Sequence, residues 1–414
     1  MSEISNTSGE FYSAVCGEKS TDTSKSVPNS AGADQIPIKR KMKICIIVRV
    51  LWPGGVQRTA IAEAEGLKDL GNDVDLIFIR STKRPVYGSK INYKVMYDSD
   101  IKKRFLGRIF KKITLHYMPQ RGDDATVDVD LIYKTVHKID KKYDIIYYFD
   151  EFSALFQKYI KNKFNNKSAV LIHEVSLFDD SYLLKFVQKR AIKNADIVLT
   201  NTIENLKLLR KAGIKNSYEV YPGLTVQNNI PNFDERENIA ISVTMWDFGR
   251  KPEVLLEIGK YISKGKLIIA GSWTDNNYLN RFRELIKDNN LAGKVIVTGE
   301  ISENDLRELY RRAKVSIRFG YNERGPGMGS LESISWGLPL IINDGIGIKE
   351  IIEDGINGYI VDESDYKRIA SLIDNLFSDK DKWTEISNNN VSLSKKMDWK
   401  NHCRILDSIF REFT

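Results

Sequence analysis

Short, almost wholly apolar runs alternate with helical periodicity along most of the chain. Lys43–Val50 (KICIIVRV), Val74–Ile79, Tyr143–Phe149, Ala169–Ile172 and Ile197–Thr200 show no polar face, the pattern of strands buried in a parallel sheet. Helical patterns lie between them at Thr59–Leu70, Leu183–Asn194 and Ile203–Ala212, the first closed by Gly71 and the last by Gly213. Tyr221–Glu237 (YPGLTVQNNIPNFDERE) breaks the rhythm and reads as an interdomain linker. A second series then begins: strand Ile239–Thr244, helix Pro252–Ile262, strand Lys266–Ala270, helix 278–289 and strand Val295–Thr298. Ser302-Glu303-Asn304-Asp305 opens the next helix like a capping box with Asp in place of Glu. Strand Val315–Phe319, helix Ser330–Trp336, stopped by Gly337 and Pro339, and strand Leu338–Asn343 follow. Trp399–Phe413 is amphipathic and reads as a closing helix. Strand and helix alternating in two series argue for an α/β chain with doubly wound sheets. The expected division is a Ser/Thr-rich disordered tail at 1–40, a first domain at 41–228, a second at 238–395 and a closing helix at 396–414.

Length supports two domains, because 414 residues exceed what one hydrophobic core organises. Apolar and charged contents of 42% and 29% are those of a globular chain. A net charge of +8 and a pI near 9.0 favour an anionic partner without choosing one. Cys16, Cys45 and Cys403 are far apart, which indicates neither a disulfide framework nor a zinc site and agrees with a reducing compartment. No apolar run reaches membrane-spanning length and no signal-peptide pattern opens the chain, so the expectation is a cytoplasmic protein, soluble or on a membrane surface.

Candidate chemistry concentrates at 314–362. Gly320, Gly325, Gly327 and Gly329 lie between a strand and a helix start, where backbone amides can approach a phosphate and the helix dipole favours it. Glu332, expected in the first turn of that helix, either accepts ribose hydroxyl hydrogen bonds or offsets the dipole; both readings stay open. In the first series, Trp52-Pro53-Gly54-Gly55-Val56-Gln57-Arg58 puts a glycine pair where parallel strand ends face a ligand crevice, and His173 and Glu174 follow a strand directly. From 101 to 122 there is no acid, and in 101–113 (IKKRFLGRIFKKI) Lys102, Lys103, Arg104, Arg108, Lys111 and Lys112 flank an apolar stripe. That segment suits an anionic membrane surface, or else is a core-packing helix with a basic back.

Taken together, WPGGVQR (52–58), IHE (172–174), GRKPEVLLEI (249–258), GEISENDLRELYRRA (299–313), GMGSLESISWGLPLI (327–341) and GIGIKEII (345–352) resemble, in order and spacing, the family-4 retaining glycosyltransferases. The resemblance covers 43 to about 412 and implies a GT-B fold: two facing Rossmann-like domains with parallel sheets and a C-terminal crossing helix. It implies transfer of a sugar from a nucleotide-sugar donor, with retention, to a glycan or lipid-linked acceptor bound mainly by the first domain, and no nucleic acid, cofactor or metal; the basic segment 101–113 makes a lipid-linked acceptor at the cytoplasmic face of a membrane the leading expectation. No Asp-x-Asp borders a strand end of the second series, in keeping with a metal-free site. By position, the likeness makes Glu332 the ribose ligand, Gly327, Met328 and Gly329 the loop meeting donor sugar and phosphate, and Gly54 and Gly55 the opposing loop. It makes Arg250 and Lys251 the cations that neutralise the diphosphate and His173 the histidine beside the donor sugar. Asp150 or Glu151 could orient the acceptor hydroxyl. Two departures stand out. Arg324 occupies the place of the family's first glutamate, with Glu323 one position early, which would admit a donor bearing a carboxylate or sulfonate if Arg324 faced the sugar. Met245 holds the place of the family's arginine, for which Arg250 would substitute. Rival readings are a non-catalytic subunit of the same fold, a sugar-nucleotide epimerase, and a nicotinamide enzyme using Gly325-x-Gly327 with Asp344 as its ribose acid.

Overall fold

A strand of nine residues that is buried on both faces must pair on both edges, and Lys43–Leu51 (β1) does so. Ile46 pairs with Leu76 of β2 (Asp73–Ser81) on one side and with Tyr147 of β4 (Ile145–Tyr148) on the other. The computed structural model describes residues 40–52, 54–82, 88–97, 129–179 and 182–414. The 1–40 tail, apart from Arg40, and the basic segment with Lys102, Lys103, Arg104, Arg108, Lys111 and Lys112 lie outside them. Lys41–Thr414 forms a compact unit containing two parallel sheets.

The first sheet adds β3 (Tyr93–Tyr97), β5 (Lys167–Ile172), β6 (Ile197–Thr200) and β7 (Ser217–Glu219) in the order 3-2-1-4-5-6-7. One face is covered by α1 (Gly55–Asp69), the other by α2 (Val129–Lys138), α3 (Gln157–Phe164), α4 (Tyr182–Asn194) and α5 (Ile203–Lys211). The second sheet holds β8 (Ile239–Val243), β9 (Lys266–Ala270), β10 (Val295–Gly299), β11 (Val315–Arg318), β12 (Leu340–Ile342) and β13 (Gly358–Ile360) in the order 10-9-8-11-12-13. Its helices are α6 (Glu253–Tyr261), α7 (Asn276–Asp288), α8 (Glu303–Arg312), α9 (Met328–Ser335), α10 (Tyr366–Ser378) and α11 (Lys380–Lys396). Strand order reverses at β1/β4 and at β8/β11, the two places where parallel sheets open a crevice beyond their carboxyl ends.

The expected strands and helices are present, with ends that differ by a few residues. The largest shift is α1, which starts at Gly55 instead of Thr59, because nothing in Val56-Gln57-Arg58 opposes helix once the glycine pair has turned the chain. Ser302 accepts the Asp305 amide as the capping pattern required. The closing helix α12 (Trp399–Glu412) crosses back to the first sheet, burying Leu406, Ile409 and Phe410 in its core. Gly66 permits this approach, since a Cβ there would collide with Cys403 Sγ. The linker is held rather than loose. Arg236, only 5% exposed, donates to the carbonyls of Pro231, Tyr310, Ala313 and Trp336 at 2.8–3.0 Å. Leu224 N bonds Met397 O at 2.7 Å, so the two chain crossings between the sheets run side by side. Among the described residues no helix is long and apolar enough to cross a membrane.

Candidate functional site

The loop after β11 shows why its glycines are required. A Cβ on Gly320 would lie 2.6 Å from Ile346 Cβ, and one on Gly329 would lie 2.5 Å from Val243 O. A Cβ on Gly347 would overlap Arg324 O. Gly327 caps α9 with φ +71°, the left-handed region that glycine enters without steric cost. Backbone thus packs on backbone, and the first amides of α9 are brought to the crevice. Helix α9 begins at Met328, two residues before the expected start, and this moves Glu332 into its second turn. The dipole-offset reading of Glu332 therefore fails, since that effect fades within the first turn.

The Glu332 carboxylate is partly exposed, with one oxygen paired to Arg58 Nη1 and the other accepting from Tyr310 OH at 3.1 Å. Burial pushes the Tyr310 phenol well up, so it stays a donor. Glu332 lines a cavity of about 740 Å³ together with Arg58, Tyr310, Met328 and Trp399. Arg58 comes from the first turn of α1, three residues beyond Gly55, where a Cβ would lie 2.7 Å from Met328 Cγ. The two glycine loops therefore meet, one from each sheet, with Thr59 Oγ1 3.9 Å from Met328 Sδ.

A second charged group forms beside the first. Glu323 Oε2 pairs with Arg318 Nη2 at 2.6 Å and Arg250 Nη1 at 3.1 Å. Burial raises the Glu323 pKa while the Arg250 charge lowers it. Arg250 ends a short 3-10 turn capped by Asp247 and also donates to Thr244 Oγ1 at 2.8 Å. Lys251 sits at φ 44° with its ammonium 4.0 Å over the Tyr321 ring. The expectation for Arg324 is corrected by this geometry. Its guanidinium donates to Val175 O at 2.8 Å and reaches Asp179 and Glu204 at 3.5 and 3.7 Å, toward the first sheet rather than toward Arg250. Adjacent residues in extended backbone point opposite ways, and Glu323 bridges Ile346, so the carboxylate one position early takes the inward side.

His173 follows β5, and its Nε2 donates to Phe149 O at 3.1 Å. The His173 carbonyl accepts from Asn205 Nδ2 at 2.9 Å. The Arg324–Val175 bond ties this segment to the Glu323 loop. Asp150 serves its own turn: it accepts the Ser153 amide at 2.6 Å and pairs with Arg49 at 3.4 Å. Glu151 accepts from Gln188 Nε2 at 3.4 Å. Asp344 is largely exposed and pairs with Lys349 at 3.0 Å, which removes it as a ribose acid and with it the nicotinamide reading. Among the described residues no group of three acids, histidines or cysteines could hold a metal ion. Sequence reasoning left Arg58, Tyr310 and Arg318 without a role, although Arg58 lay inside a quoted motif and a charged residue closing an apolar strand is itself a signal.

Residues 225–392, which contain β8 to α10, most of α11 and every site residue of the second sheet, match the family described as glycosyl transferases group 1. About two fifths of the chain is thus similar to a group 1 glycosyl transferase domain. Spinach (Spinacia oleracea) sucrose-phosphate synthase is 26% identical over 175 residues, 41% of this chain and 16% of that protein. The D-inositol 3-phosphate glycosyltransferase of Corynebacterium kroppenstedtii is 24% identical over 252 residues, 55% of this chain and 56% of that one. The chain thus spans between a sixth and about half of these relatives. Among solved structures, Anabaena HepE in complex with UDP and glucose superposes with a TM-score of 0.68 at 15% identity, over 90% of this chain and 100% of that one. Sucrose-phosphate synthase from Thermosynechococcus elongatus gives 0.67 at 17%, over 90% and 99%. These likenesses show the fold, and the expected GT-B architecture is borne out.

Proposed function

We propose that the chain transfers a sugar from a nucleoside-diphosphate donor to an acceptor hydroxyl, with retention at the anomeric carbon, as family-4 enzymes do. One observation carries the reading: Glu332 presents a carboxylate to a cavity one turn into a helix whose glycine-built N-terminus faces the same crevice. A carboxylate suits vicinal ribose hydroxyls, and the amides of Gly327, Met328 and Gly329 suit the diphosphate beside it. That HepE was solved with UDP supports a nucleoside diphosphate as the class of donor group. Arg250 and Lys251 would stabilise the charge that grows on the leaving diphosphate, a role preorganised cations perform best in a water-poor crevice. Glu323, held by Arg250 and Arg318, would take the donor sugar's hydroxyls in place of Arg324, so a neutral sugar is favoured over one bearing a carboxylate. His173 would stand beside the donor sugar from the opposing sheet. The acceptor, a glycan or lipid-linked glycan, would enter on the first-sheet side, and the 101–113 segment supports a membrane-surface location at the cytoplasmic face.

The test is thermal stabilisation across a panel of nucleoside diphosphates and their sugars, followed by nucleotide release with and without acceptor. A ligand at a hundred times its Kd raises stability by about 2.7 kcal/mol. Release that needs no acceptor and yields an epimerised donor would favour an epimerase. Stabilisation with neither release nor transfer would leave a binding subunit.

A further inference from the structure

The outer face of the first sheet's helix layer carries a pattern that sugar transfer does not use. Helix α4 has the sequence YLLKFVQKRAIKN, with four cations and no acid. Tyr182 is 80% exposed and Phe186, one turn on, is 62% exposed. Lys189 and Lys193 continue the same stripe at helical spacing and are exposed. Phe178, just before the helix, is 49% exposed with Lys211 Nζ 5.3 Å from its ring, and Lys185 lies 5.8 Å from the Tyr182 ring. Neighbouring α3 (QKYIKNKF) also carries cations and no acid.

Large aromatic side chains standing in water lose the stabilisation of burial, and three within nine residues form a patch rather than scattered exceptions. Asp179 and Asp180 stand between Phe178 and Tyr182 in the sequence, but from Tyr182 to Asn194 every charge is positive, and an apolar partner alone would not account for Lys185, Lys189 and Lys193 beside the rings. Rings bordered by Lys185, Lys189, Lys193 and Lys211 fit a surface that is negative at its plane and apolar just beneath, where Phe and Tyr enter the headgroup boundary and ammonium groups stay at phosphate level. We infer that the Phe178, Tyr182 and Phe186 face of α4, with its lysines, is a docking surface for an anionic lipid bilayer. Phe178 adjoins Asp179, which pairs with Arg324 of the donor-side loop, so the docked face lies at the rim of the crevice. The surface is independent of the sugar-transfer reading, and its test reads no activity.

The full chain is mixed with vesicles of equimolar phosphatidylglycerol and phosphatidylcholine, and separately with phosphatidylcholine alone. Sedimentation should favour the anionic vesicles at least 10-fold, falling at high salt. Tyr182→Ser with Phe186→Ser should lower anionic-vesicle binding about 10-fold with an unchanged melting temperature, since neither ring is buried. Lys185→Glu, Lys189→Glu and Lys193→Glu together should abolish it. In a separate variant, Phe186→Trp should show blue-shifted emission quenched by brominated lipid. Wild-type binding by the serine variant, loss only when Lys102, Lys103, Arg108 and Lys111 become Glu, or retention on an acidic polypeptide without any on vesicles would each overturn the assignment.

Discussion

The two sheets build their shares of the crevice by different means. The second does it with backbone: Gly320, Gly329, Gly345 and Gly347 let main chain lie against main chain, so the loop has one shape and Glu323 and Glu332 follow from it. The first does it with side chains: Arg58, from the first turn of α1, reaching across to Glu332, and His173, whose ring donates to the Phe149 carbonyl. Main-chain packing tolerates little change, whereas a side chain can relax by choosing another rotamer. Substitutions should therefore be far costlier on one side than on the other. Gly347→Ala must displace the Arg324 carbonyl and should destabilise by about 3 kcal/mol. Gly55→Ala meets only the flexible Met328 side chain and should cost under about 1 kcal/mol. Urea denaturation of both variants gives the comparison, and equal losses would break it.

Glu332→Ala comes next. It removes a charged acceptor in the crevice and should lower kcat/KM roughly 100-fold, about 2.7 kcal/mol of transition-state stabilisation. Melting temperature should hardly move, because the carboxylate is only partly buried. Little loss of rate would move the nucleoside elsewhere in the cavity.

These contrasts explain what could be read from sequence. Alternation of apolar runs located both sheets, because parallel strands buried on two faces leave no polar positions. The glycine loop was legible for the same reason that it is rigid. What escaped depended on one residue's direction. Glu323 and Arg324 point to opposite sides because the side of an extended segment that faces inward is set by its bridge to Ile346, a tertiary contact invisible along the chain. Glu332 was placed in the wrong turn because Gly327, with φ +71°, caps the helix two residues before the expected start. Glu350 was missed altogether, although its carboxylate accepts the amides of Ile203 and Glu204 at 2.8 and 2.7 Å and so caps a first-sheet helix from the second.

That cap belongs to a half-buried acidic pair, Glu350 and Glu219, where a milder pH effect is expected. Burial and the Glu350 charge push the Glu219 carboxyl up to about 7, against pulls from His402 and the Tyr221 amide. One Glu219 oxygen is buried without a hydrogen-bond partner. Its folded pKa exceeds the ordinary value of 4.5, so the folded state binds the extra proton between these limits. Stability from this group is full below about pH 4.5 and is lost as pH rises through 7, on the order of 2 kcal/mol. Glu219→Gln should flatten that slope and be the more stable protein at pH 8, read by denaturation at several pH values. A wild-type slope retained in the variant would assign the effect to another group.

The smallest effect tests the seam between the sheets. Arg324 is partly exposed, and its bonds to Val175 O, Asp179 and Glu204 are the side-chain link between the His173 segment and the donor loop. Exposed ion pairs are weak, so Arg324→Ala should leave the melting temperature within a few degrees. The neutral carbonyl contact gives direction more than energy, and its loss should let His173 drift relative to Glu323. Rate depends steeply on such alignment, whereas the proposed nucleotide contacts of Glu332 and the α9 amides do not involve this bond. The variant should therefore show kcat reduced about 5-fold, near 1 kcal/mol, with nucleoside-diphosphate Kd unchanged. Arg324→Lys, which keeps the charge but not the fork, should recover only part of the rate. A rise in donor KM at constant kcat would instead place the guanidinium on the sugar, and the asymmetry between the two sheets would then not extend to this loop.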